Sequence, residues 1–207
     1  MGKNKKEKKL TKAEQRRLEN MNKITEEMTA QNYVRKDLTI NIVMANVVMF
    51  VIFIVMGIIG VAAYYYVNHG FKAVHINWGL FWILSIALIV VHELIHGLTW
   101  SLFTPNGFKD MEFGFNTLMA YCTCSAPLKK IQYVLGGVMP FIILGLIPML
   151  VGIFTGNFFV LLIGVLMASG AAGDIMIIHK ILTYKSNASE IIYMDHPTEP
   201  GGIIFER

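Results

Sequence analysis

Only two cysteines, Cys122 and Cys124, occur among the 207 residues. Standing one residue apart, they are too close for an ordinary structural disulfide, and the second pair that a zinc ribbon needs is missing. Charge is scarce too: 15% of the residues are charged and 55% hydrophobic, a balance outside that of soluble proteins. No Asp, Glu, Lys or Arg stands between Asp37 and Lys72, or between Lys130 and Asp174. These absences argue against a disulfide scaffold and a soluble enzyme alike, and they predict an integral membrane protein. There is no internal repeat, and no low-complexity segment beyond a lysine-rich start.

The charge that is present is concentrated. Eleven of the eighteen Lys and Arg residues fall between Lys3 and Lys36, so the net charge of +4 describes one end of the chain. That run directly precedes an apolar span, where retention on the cytosolic side and attraction to anionic lipid account for it; nucleic acid is not an expected partner. Roughly forty mostly polar residues precede the first apolar stretch, which predicts a retained transmembrane helix instead of a cleaved signal peptide. Lys6 occupies the position where a myristoylation pattern takes Ser or Thr.

Periodicity organises the rest. Thr11 and Glu14 form a capping-box pattern, and Leu18, Met21, Ile24 and Met28 recur three or four apart, which predicts an amphipathic helix on the protein or membrane surface. Four apolar segments follow, approximately Thr39 to Val67, Trp78 to Phe103, Ile131 to Phe154 and Phe158 to Leu182. At 1.5 Å per residue each can cross a hydrocarbon core of about 30 Å. Tyr64, Tyr65 and Tyr66 suit an interfacial belt, and Pro105-Asn106-Gly107 carries turn chemistry. Met111 to Ser125 lacks a helical period and is rich in Phe, Thr, Tyr and Cys, as expected of a hairpin. The C-terminal residues are expected to form an irregular tail with one strand, Gly202 to Glu206.

The expected architecture is an all-α membrane protein with about four transmembrane helices, a short cytosolic-side β-hairpin and a basic N-terminal helix. Residues 1–38 form a basic cytosolic helix or tail, 39–183 a four-helix transmembrane domain, and 184–207 a cytosolic tail. The distribution of Lys and Arg predicts a multi-pass protein of the cell membrane with both termini in the cytosol.

Against that background the stretch VHELIHGLTW, Val91 to Trp100, is anomalous. Each strongly charged residue at the centre of a spanning helix costs about 2.5 to 3.5 kcal/mol, so an ionisable cluster there needs compensation and is functional by default. His92, Glu93 and His96 fit HExxH: two imidazoles on one helix face can ligate one Zn²⁺, and the adjacent carboxylate reaches a water at the open position. A third ligand is expected, and Asp174 of the fourth segment is the buried carboxylate that can supply it. His92 lies about fifteen residues along its span and Asp174 about seventeen along its own, a depth mismatch of roughly 3 Å if both run the same way. Gly97 and Ser101 below the motif, with Gly170 to Gly173, predict close helix approach. His179 and Glu112 are reserve ligands; His69 and His75 lie on the first loop, away from the motif. Gly136, Gly137, Pro140, Gly145 and Pro148 predict a bent third helix.

HELIHG on a membrane helix, LGGVMPFIILG and SGAAGDIMII together resemble the site-2 protease group of intramembrane zinc metalloproteases. More closely, the chain from Thr39 onward resembles a bacterial family of small membrane proteins classed as zincin peptidases. The resemblance implies His92 and His96 as zinc ligands, Glu93 as base, Asp174 as third ligand, and a cytosolic-side hairpin around Phe113 to Cys124 that helps hold an extended substrate. The group's Asn and Pro pattern is represented here by Pro140 alone, and Asp174 is not followed by Gly. The expected function is a membrane zinc metalloprotease acting on a membrane protein or peptide within or beside the lipid bilayer. A metal transporter or sensor built on the same ligands, or an inactive scaffold, would share the pattern. Reporters fused to each terminus should both be read on the cytosolic side of the membrane; an external C-terminus would break the depth match between His92 and Asp174.

Overall fold

The computed structural model describes residues 10–71, 76–116 and 119–207. Helix α1 (Lys12–Ala30) opens on the expected capping box: Thr11 Oγ1 accepts from the Glu14 amide and the Glu14 carboxylate accepts from the Thr11 amide, at 3.2 and 2.8 Å. Strand β1 (Val34–Thr39) leads to helices α2 (Ile42–Asn68) and α3 (Trp78–Ser101). Asn41 and Asn77 cap them, each side-chain oxygen accepting from free amides of the first turn. A hairpin, β2 (Met111–Asn116) with β3 (Met119–Cys124), precedes α4 (Lys130–Pro140), a π-helical turn (Phe141–Leu146) and α5 (Ile147–Thr155). Then come α6 (Phe158–Gly170), α7 (Ala172–Thr183), β4 (Ile191–Asp195) and β5 (Gly201–Glu206).

Among the described residues, three helices are long and apolar enough to cross a membrane: Ile42–Asn68, Trp78–Ser101 and Lys130–Thr155. The last runs through Pro140 into the π turn, and the Gly136 carbonyl that Pro140 cannot bond accepts a side-chain donor from α3 instead. The fourth expected span is not one straight helix. It breaks at Ala171 into α6 and α7, bent by 49°, within Gly170-Ala171-Ala172-Gly173, where two glycines weaken helical continuity. The outward faces of α2 and α3 expose Val47, Phe50, Ile58, Ile83 and Ile86. An apolar surface of that extent is compatible with a membrane setting.

α5 and α6 form an antiparallel hairpin, turned by Gly156 at φ +68°. The helices meet at glycines other than those expected. A Cβ on Gly152 or Gly164 would lie 2.3 or 2.4 Å from backbone nitrogen of the facing helix, whereas Gly170 and Gly173 have no neighbour nearer than 4.0 and 3.9 Å.

The ends of the chain correct the expected all-α architecture: the strand expected at Gly202 to Glu206 is present as β5, and it has partners where an irregular tail was expected. β1, β5 and β4 form a three-stranded antiparallel sheet in that order. Met21 of α1 is buried on it with Tyr33, Met194, Ile203 and Phe205, and Ile24 and Met28 pack alongside. So α1 uses its apolar stripe to cover a sheet built from both ends of the chain. Substituting Gly164→Val should destabilise by at least the about 1–3 kcal/mol typical of overpacking, read as a lower unfolding midpoint in detergent. Gly170→Ala, beside open space, should leave the midpoint near wild type.

Candidate metal centre

Helix α3 places His92 and His96 one turn apart and buried. The ring of His96 is held from two sides. Its Nδ1 donates to the Gly136 carbonyl of α4 at 2.8 Å, which leaves Nε2 to present its lone pair inward. The Trp100 ring stacks on it at 5.1 Å between centroids and 15° between planes, with its own Nε1–H donated to the Tyr133 carbonyl at 3.1 Å. Gly136 has to be glycine, because a Cβ there would sit 2.0 Å from the Trp100 indole nitrogen.

The bend at Ala171 sets Asp174 in the first turn of α7, where the helix N-terminus favours a carboxylate. Asp174 Oδ2 lies 3.1 Å from His92 Nε2 and 3.5 Å from His96 Nε2, and the two Nε2 atoms are 3.2 Å apart. Zinc held tetrahedrally at about 2.0–2.1 Å separates its donor atoms by about 3.3 Å. The triangle brackets that spacing, and two imidazoles with one carboxylate are a donor set that suits zinc; the residues fit the metal.

Glu93 stands outside the triangle, half-buried and one turn before Gly97, on the face of α3 that the hairpin covers. The hairpin reaches α3 through Gly97: a Cβ there would meet the Phe113 ring at 2.3 Å and Cys122 Sγ at 3.2 Å. Gly97 therefore admits the hairpin, not a neighbouring helix as its spacing from Ser101 suggested.

The reserve ligands do not join the triangle. Glu112 pairs with Arg16 at 3.0 Å and Arg17 at 3.5 Å, and His179 is exposed on α7. His69 is the left-handed C-cap of α2, and His75 lies outside the described residues. Four residues around the site had no assigned role in the sequence: Trp100, Tyr133, the Gly136 carbonyl and Asp195. Trp100 had a signal, since it continues the His92 and His96 spacing by another four positions. Asp195 had none. It accepts from the Cys124 amide at 2.7 Å and from the Tyr133 hydroxyl at 2.6 Å, while burial pushes its carboxyl up to about 6 against the pull of those two donors.

Two imidazoles from one helix, a carboxylate from another and a glutamate beside the first imidazole define a candidate single-metal centre of hydrolytic type. The family described as "Putative zincin peptidase" matches residues 85–189, half of the chain, and the chain belongs to that family. The match contains His92, Glu93, His96 and Asp174. Neither the curated proteins nor the solved structures searched contain a match. Purified protein should carry about one zinc per chain, and His92→Ala, His96→Ala and Asp174→Ala should each lose most of it by elemental analysis. Full zinc in all three variants would exclude this centre.

Proposed function

We propose that this chain is an integral membrane zinc metallopeptidase that hydrolyses peptide bonds within or beside the bilayer. His92, His96 and Asp174 hold the metal and Glu93 is the general base. The observation that carries this reading is the donor triangle, with 3.1 to 3.5 Å edges, next to an unligated Glu93 among helices apolar enough to span. When bound, zinc supplies a Lewis acid that polarises a carbonyl and acidifies water.

The chain's own groups do the rest. The Glu93 carboxylate takes a proton from the attacking water and returns it to the departing amine. The Gly136 carbonyl keeps the His96 proton on Nδ1 throughout, so that Nε2 remains a donor atom. The substrate enters extended, since a helical peptide keeps its carbonyls in its own hydrogen bonds. As in the resemblance to site-2 proteases, the site opens toward the cytosol. The basic α1 and the hairpin beside α3 support that orientation, with both termini on the cytosolic side.

Glu93→Gln should retain zinc while lowering cleavage by about 10²–10⁴-fold, the usual contribution of a general base. Membrane proteomes of cells carrying wild type or the variant should differ by peptides that accumulate uncut. Identical proteomes, with zinc bound in both proteins, would refute proteolysis and favour a metal-handling role.

A further inference from the structure

The strands of the hairpin alternate their side chains between two faces. Pairing Phe113 with Cys122, Gly114 with Tyr121 and Glu112 with Thr123 sets Phe113 and Cys122 on the face turned to α3, and Glu112 and Tyr121 on the opposite face. The inner face is the one that meets Gly97, one turn after Glu93 on the same face of α3. What holds the outer face is a pair of contacts from segments outside residues 85–189.

The first comes from α1. The Arg17 guanidinium lies 4.5 Å over the Tyr121 ring and 3.5 Å from the Glu112 carboxylate, and its Nε donates to the Pro197 carbonyl at 3.0 Å. Arg16 adds a more exposed ion pair to Glu112. The second comes from the end of β4. Asp195 takes the Cys124 amide at the base of the hairpin with one oxygen and the Tyr133 hydroxyl of α4 with the other. Pro197 lies two residues beyond Asp195, so the two contacts close on one turn. A polar cleft of about 530 Å³ separates them, lined among others by Arg17, Glu112, Thr123 and Asp195.

We propose that Arg17 and Asp195 are positioning residues that hold the hairpin against the HExxH helix, making α1 and the β4–β5 turn a brace on the cover of the metal centre. Arg17 presses on the outer face and Asp195 anchors the base. α1 is itself anchored to the sheet by Met21, so the brace has a fixed footing. Releasing it lifts Phe113 and Cys122 from Gly97 and opens the approach to α3 and Glu93. The consequence for catalysis rests on the peptidase reading, whereas the contacts and their test do not.

The chain carries its own reporters. Cys122 and Cys124 are its only thiols, both are buried under the hairpin, and burial raises both thiol pKa values, so the closed state should react slowly. Full-length protein in detergent is treated with a maleimide–polyethylene glycol reagent and the gel shift followed in time. Arg17→Glu and Asp195→Asn should each label about tenfold faster or more, as for a local opening, with helicity by circular dichroism unchanged. Adding Glu112→Arg to Arg17→Glu should return the rate toward wild type, which a general loosening of the fold would not do. Wild-type rates in both single variants would overturn the brace, as would an Arg17→Glu rate that Glu112→Arg leaves unchanged. If Asp195→Asn loses helicity, the Arg17 and Glu112 pair decides alone. Because no substrate is used, failure here leaves the Glu93→Gln experiment intact.

Discussion

Ionisable side chains in an apolar bundle need partners, because an uncompensated charge in hydrocarbon costs several kcal/mol. His92, His96 and Asp174 meet that requirement by converging, and the rest of the structure is arranged so that they can. The bend at Ala171 turns the first turn of α7 toward α3 and brings Asp174 within 3.1 Å of His92. Gly136 lets α4 come close enough to accept the His96 proton while Trp100 fills the space a side chain would have taken. Removing any one of these leaves a buried polar group without its partner, so the packing and the chemistry are constrained together.

The long apolar helices and the sheet are not independent layers. Tyr133 shows the connection: its carbonyl accepts from Trp100, which stacks on His96, and its hydroxyl donates to Asp195 of β4. One side chain and its own backbone thus link the donor triangle to a sheet whose strands come from both ends of the chain. The family match stops at residue 189, short of Asp195 and far from Arg17, so in this chain the surroundings of the site draw on residues that the family match does not include.

Much of the helical framework was legible because its signals are local. The capping box at Thr11 and Glu14, the apolar stripe of α1 and the charge-free spans all act within a few residues or one helix. The hairpin at Met111 to Cys124 was legible for the same reason, since its strands are adjacent in sequence. The three-stranded sheet was not. Val34–Thr39 fell at the end of the expected N-terminal helix or tail and the start of the first apolar segment, and Ile191–Asp195 in the C-terminal tail; each becomes a strand only by pairing with β5. The expected close-packing glycines were misplaced for a related reason: composition marks where a helix can be approached, but not which neighbour approaches it. Gly97 received the hairpin, and Gly152 and Gly164 the α5–α6 contact.

By itself the sequence determined which residues could ligate a metal, since HExxH spacing follows from the helical repeat and the scarcity of charge leaves Asp174 as the natural partner. Only the tertiary structure decided that these atoms meet at 3.1 to 3.5 Å, that a π turn and a 49° bend shape the helices around them, and that Trp100, Tyr133 and Asp195 surround them. The physical reason is range. Helical periodicity and hydrophobic length are properties of neighbouring residues, whereas a donor triangle and the contacts that hold it depend on where distant segments come to rest.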